Sequence, residues 1–215
     1  MELEPVKERV SGAVEDLSLC ICNAGFKSEF SSQETWLLTR STYAQTDWAK
    51  SVWFSQATPK YAFISWLAML DRLATMDRIV RWSSGVDDTC VLCKSALESR
   101  SHLFFECSYS SQLWEHLVLG VVGNLYTTVW TSILDLLKRP ERDKRKLFCL
   151  RYAFQVAIYV IWRERNKIKH GEKPLPVIVV KKLVDKEVRN KLSLMKSKGC
   201  KGMELALQYW FSTRV

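Results

Sequence analysis

The residues best suited to chemistry lie in one stretch, where Cys90, Cys93, His102 and Cys107 spell C-x2-C-x8-H-x4-C. Two cysteines separated by two residues let a tight turn aim both sulfurs at one ion, and a His and a Cys arriving from a second element complete a tetrahedron. The spacing predicts one Zn2+ held by these four side chains. Three thiolates and an imidazole leave no position for water, so the ion is structural; a catalytic zinc needs an open site to activate water or polarise a carbonyl.

The remaining candidates do not enlarge this set. His116 follows Cys107 by nine residues in Trp114-Glu-His116-Leu and reads as an ordinary helix turn. Cys20 and Cys22 have no nearby His or further Cys, and Cys149 and Cys200 stand alone, which suits small buried hydrophobes or free thiols. A RING-type domain would need eight ligands in two interleaved sites. Retroviral zinc knuckles are far tighter in spacing and usually basic, whereas residues 58–118 carry 6 Lys/Arg against 7 Asp/Glu.

Catalytic patterns are missing. There is no Gly-x-Ser-x-Gly elbow and no glycine-rich phosphate loop among the 8 glycines. A Tyr-x-Asp-Asp polymerase core is lacking, and Asp87-Asp88 lies in the loop before the cysteines, so no carboxylate set for metal-assisted phosphoryl transfer can be assembled. The expectation is a protein that is no enzyme and has no small-molecule substrate.

Charge is concentrated at one end. Residues 138–201 hold 20 Lys/Arg against 6 Asp/Glu, a net +14, within a chain of net +9. Such a field favours a polyanion whose counterions are released on binding, although lysine-rich helices are also ordinary solvated surfaces. Lys144, Arg145, Lys146, Lys181, Lys182, Lys186 and Arg189 are the expected contacts to RNA or DNA. The acidic start, Met1-Glu-Leu-Glu, lacks a basic region followed by an apolar stretch, so no secretory signal is expected and the location is intracellular, nucleus or cytoplasm. The apolar run at Ala153–Trp162 is about half the roughly 20 residues that cross a bilayer and reads as a core helix, with no membrane partner.

Helices must position these groups. Residues 1–47 lack a sustained period and read as weakly structured, punctuated near Ser31-Ser32 and Thr39–Thr42. A short amphipathic stretch at Trp48–Phe54 precedes Pro59, and Lys60–Leu70 reads as a buried helix. Thr75 is placed to cap Met76–Trp82 with its hydroxyl, and Ser83-Ser84-Gly85 to end it. Tyr109–Leu119 and Thr127–Lys138 are predicted helices separated by a Gly120/Gly123 break. In 141–170, Leu147, Leu150, Phe154, Ala157 and Ile161 define one buried face and leave Arg and Lys on the other. Val177–Lys196 and Met203–Phe211 follow. Trp66, Trp82 and Trp114 are expected in the core. The fold class is mainly α, a small zinc-knuckle module inserted among helices and followed by a helical C-terminal region: an N-terminal segment 1–47, a zinc domain 48–119 and a basic helical region 124–215.

Read together, Trp53-Phe54, the run from Ala57 to Ala68, Arg72–Ile79, Cys90, Cys93, Glu98-Ser99, His102–Cys107 and Trp114 strongly resemble the plant reverse-transcriptase zinc-binding domain of LINE-type, non-LTR retrotransposon proteins. The resemblance covers roughly residues 48–118, and Ile158–His170 looks like the helix that commonly follows the domain. It implies the same four metal ligands and a retrotransposon-derived protein. Two functions fit: binding of RNA or DNA through the basic C-terminal helices, or a structural or protein-interaction remnant without nucleic-acid binding.

Overall fold

A computed structural model describes residues 20–22, 25–27, 31–40 and 46–214, which fall into two compact units divided between Gln45 and Thr46. In the first unit, β1 (Cys20–Cys22) pairs antiparallel with β2 (Gly25–Lys27), and α1 spans Ser32–Thr39. Ser31 begins that helix, its hydroxyl accepting the amide of Glu34 at 3.2 Å. The hydroxyls that punctuate the sequence here therefore start a helix. The expectation of weak structure falls otherwise on residues 1–19, 23–24, 28–30 and 41–45, which lie outside the described residues.

In the second unit the regular structure described is helical apart from one β-bridge, Thr89 with Leu97. Its helices are α2 (Ala49–Val52), α3 (Pro59–Met69), α4 (Met76–Ile79), α5 (Ser108–Val122), α6 (Trp130–Lys138), α7 (Lys144–Lys169), α8 (Val177–Ser197) and α9 (Ala206–Ser212), with a π-helical turn at His102–Glu106. The molecule is thus mainly α, with the cysteine and histidine cluster set among helices. Most helices follow the predicted periodicity, but four expectations need correction.

The first concerns α7, the central helix. Its middle is buried on several faces, from Phe148 to Ile161, because α3, α5, α8 and α9 all pack on it. Two of the arginines assigned to a solvated face, Arg151 and Arg165, are drawn inside. Arg165 is 4% exposed, and Arg151 donates from Nε and Nη2 to the Leu137 carbonyl at 3.1 and 3.0 Å, satisfying the end of α6. A single helical period cannot report such all-round burial.

The second concerns Gly120. Helix α5 runs through it to Val122, and the chain turns only at Gly123, whose φ is 55°. Gly120 serves close approach instead, since a Cβ there would fall 1.9 Å from the Thr213 carbonyl oxygen after α9. Third, Thr75 stands at the start of α4 without capping it: its hydroxyl donates to Asp77 at 2.6 Å, and the Met76 amide is taken at 3.0 Å by the carboxylate of Glu98. That helix also ends at Ile79, before Ser83. Fourth, Trp82 is 62% exposed and lies outside the core, whereas Trp114 is buried and Trp66 packs half-buried against it.

Helix α8 matches its pattern closely. Val180, Val184, Val188, Leu192 and Met195 form one buried stripe at helical spacing, facing α5 and α7. In α3, Tyr61, Ala62, Ser65, Ala68 and Met69 are buried while Phe63 remains outside. No single helix among the described residues is long and apolar enough to cross a membrane; the bent pair α5 and α6 is apolar because it lines the core.

Candidate metal centre

The first half of the centre is a knuckle. Asp88 and Glu98 approach through a Glu98 amide to Asp88 carbonyl bond of 2.8 Å, beside the Thr89–Leu97 bridge. Between them the Cys90 amide donates to Ala96 and the Lys94 amide to the Cys90 carbonyl, both at 2.8 Å, with Lys94 in the left-handed region at φ 53°. These bonds turn both Cys90 and Cys93 to one side.

The second half is the π-turn. The amide of Cys107 donates to the His102 carbonyl at 2.7 Å, so both ligands flank one hydrogen bond. Upstream, the Ser99 hydroxyl accepts the His102 amide at 3.2 Å. Between the ligands, Leu103, Phe104 and Phe105 are all fully buried. Phe105 lies 5.0 Å from Trp114, 5.6 Å from Trp130 and 5.8 Å from Phe154, ring centroid to centroid, joining the centre to α5, α6 and α7.

The four donor atoms lie within 4.8 Å of one another. Cys90 Sγ is 3.9 Å from Cys107 Sγ, and Cys93 Sγ is 3.3 Å from His102 Nε2. The edges of a zinc tetrahedron are about 3.8 Å between sulfurs and about 3.5 Å between sulfur and nitrogen, for bonds of roughly 2.3 and 2.0 Å. The donor set and the spacing therefore fit one Zn2+, and among the described residues no other His, Cys, Asp or Glu joins the group. Cys90 and Cys107 are buried, Cys93 and His102 half-buried.

Electrostatics favour thiolates. The hydrogen bond from Cys90, followed by the amides of Tyr109 and Ser110 in the first turn of α5, holds the Cys107 thiol well below its usual range despite burial. The same bond and burial push Cys90 up, so the two thiols are driven in opposite directions; the amides of Leu92 and Cys93 act to lower Cys90. A cation between the sulfurs resolves that conflict by deprotonating both.

A buried ion pair fixes the centre to the core. Glu98 is 0% exposed and accepts Nε and Nη2 of Arg165 at 3.1 and 2.8 Å through the same oxygen that caps α4. Both residues stand in the motifs that carry the resemblance, yet nothing in their spacing announces that they meet. No local signal marks Arg165 as the buried one, because it stands in the charged run from Arg163 to Lys169 at the end of α7.

The other expected site residues are dispersed. Lys144, Arg145 and Lys146 form the first turn of α7, where Arg145 pairs with Asp143 at 3.0 Å and Lys146 with Glu141 at 3.3 Å. On α8, Arg189 pairs with Asp185 at 2.7 Å, whereas Lys182 and Lys186 are exposed and Lys181 is half-buried beside His116 and Arg214. His116 takes no part in the metal group; burial, then the nearby Arg214, lowers its pKa.

Residues 30–114 match the family described as zinc-binding in reverse transcriptase, a span that contains all four ligands and begins upstream of the stretch that carries the sequence resemblance. No curated protein and no solved structure matches the chain.

Proposed function

We propose that this reverse-transcriptase-type zinc-binding domain belongs to a non-enzymatic, zinc-stabilised scaffold derived from a plant LINE-type retrotransposon polyprotein, located in the nucleus or cytoplasm and binding RNA or DNA through α8. The closed donor set supports the non-enzymatic part, because three sulfurs and one nitrogen fill a tetrahedron. Zinc supplies charge and cross-linking there. Cys90, Cys93, His102 and Cys107 hold together two chain segments too short to bury a core by themselves.

The observation that carries the nucleic-acid part is the asymmetry of α8. Its valine stripe is buried, and its exposed side presents Lys182 and Lys186, with Lys181 half-buried beside His116; none of the three enters an ion pair among the described residues. The Lys144–Lys146 cluster contributes less, since Glu141 and Asp143 neutralise two of its three charges. Fluorescence anisotropy with single-stranded RNA and duplex DNA, repeated across salt, tests this. The logarithm of the affinity should fall linearly with log salt, and Lys182→Gln with Lys186→Gln should flatten the duplex slope by about 1.8. Absent or salt-insensitive binding would sink the proposal.

The near-neutral zinc segment favours a second reading, a folding or protein-interaction module whose C-terminal charge only maintains solubility. Charge reversal at Lys181, Lys182, Lys186 and Arg189 separates the two: nucleic-acid binding is abolished under the first reading, and protein association is little changed under the second.

A further inference from the structure

A cavity of about 390 Å3 opens between the segment after α2, the start of α7 and the end of α8. It lies apart from the metal centre. Phe54, Leu147, Phe148 and Met203 make most of its lining apolar, with Phe54 and Phe148 meeting edge to face at 5.7 Å. Its volume falls within the range of about 300–1,000 Å3 common for small-molecule sites.

All the ionisable side chains that line it, other than the Cys200 thiol, are cations: Lys144, Arg151 and Lys201. Lys144 and Lys201 are exposed and enter no ion pair among the described residues, and the stem of Lys144 lies alongside Gly202. Arg151 spends Nε and Nη2 on Leu137, which leaves Nη1 without a hydrogen-bond partner among the described residues. Of the nearest carboxylates in sequence, Asp143 and Glu141 are turned to Arg145 and Lys146, and Glu204 accepts the Gly202 amide at 3.0 Å. An apolar chamber rimmed by unpaired cations matches a ligand with an apolar body and one anionic end.

We propose that this cavity binds an amphipathic monoanion of the alkyl or aryl carboxylate class. The tail enters between Phe54, Phe148 and Met203, and the carboxylate stays at the rim with Lys144 and Lys201. The site is independent of the zinc centre and of the nucleic-acid reading, apart from Lys144, which borders both surfaces.

Isothermal titration of the full chain with decanoate tests the proposal, with decan-1-ol as a tail lacking charge and acetate as a charge lacking a tail. Decanoate should bind at a single site, at least tenfold more tightly than acetate and roughly fivefold more tightly than decanol, as two exposed charge contacts allow. Lys144→Gln with Lys201→Gln should bring decanoate to the affinity of decanol. Ser55→Trp, at the exposed mouth, should block decanoate and decanol alike without disturbing the core. No decanoate binding, equal binding of decanoate and acetate, or binding indifferent to these variants would each overturn it.

Discussion

The zinc-bearing segment and the α7–α8 pair reach order by opposite means. Between Val80 and Arg100 the chain has no regular helix, its Trp82 and Leu97 are 62% and 64% exposed, and its geometry depends on a few backbone bonds and four metal ligands. In α7 and α8, by contrast, long helices bury their own apolar stripes against one another. A metal can therefore replace a core where chain is scarce, provided that something attaches the metal-held segment to the rest. Here the attachments are the Phe105 aromatic cluster and the Glu98–Arg165 pair.

The sharpest challenge to this contrast is metal removal. Chelation or Cys107→Ser should cost most, up to about 10 kcal/mol of metal-binding free energy. Hydrogen exchange should show protection lost from 88–107 but kept in Val180–Leu192; equal loss in both would make them one cooperative unit. Phe105→Ala strikes the shared cluster and should destabilise by about 4 kcal/mol in denaturant titration, with zinc still bound. Glu98→Gln leaves Arg165 buried without its counter-charge and should cost about 3 kcal/mol. In a double-mutant cycle with Arg165→Met much of that loss should return, whereas strict additivity would deny the coupling.

Smaller effects probe the helical side. Gly120→Ala would drive a methyl into the Thr213 carbonyl and should cost about 2 kcal/mol, seen as a lower thermal midpoint with unchanged zinc content. Lys182→Gln with Lys186→Gln should leave that midpoint where it was, because both side chains project from the exposed side of α8.

The same contrast explains what could be read in the sequence. Ligand identity was legible because thiolate and imidazole chemistry constrains spacing locally, and α8 was legible because one buried stripe repeats at helical period. Partnerships across long separations were not. Glu98 caps a helix 22 positions away and meets an arginine 67 positions away, and neither relation leaves a periodic mark. Gly120 looked like a helix breaker because its purpose belongs to Thr213, and Trp82 looked like core because residue type alone does not say which side a short turn presents.

The π-turn between His102 and Cys107 sets a limit on which insertions and deletions this chain can accept. Four intervening residues match a turn closed by a bond from residue 107 back to residue 102, so the wide turn and the ligand spacing are one requirement stated twice. Shortening the segment by one residue would tighten it to an ordinary α-turn. It would also rotate Phe105 out of its aromatic cluster while swinging one ligand off the ion. A length change at this place thus damages metal and core together, whereas in the loop between Cys93 and His102 the tolerant stretch is confined to the exposed positions near Lys94 and Ser95, because Ala96 accepts the Cys90 amide and the buried Glu98 pairs with Arg165.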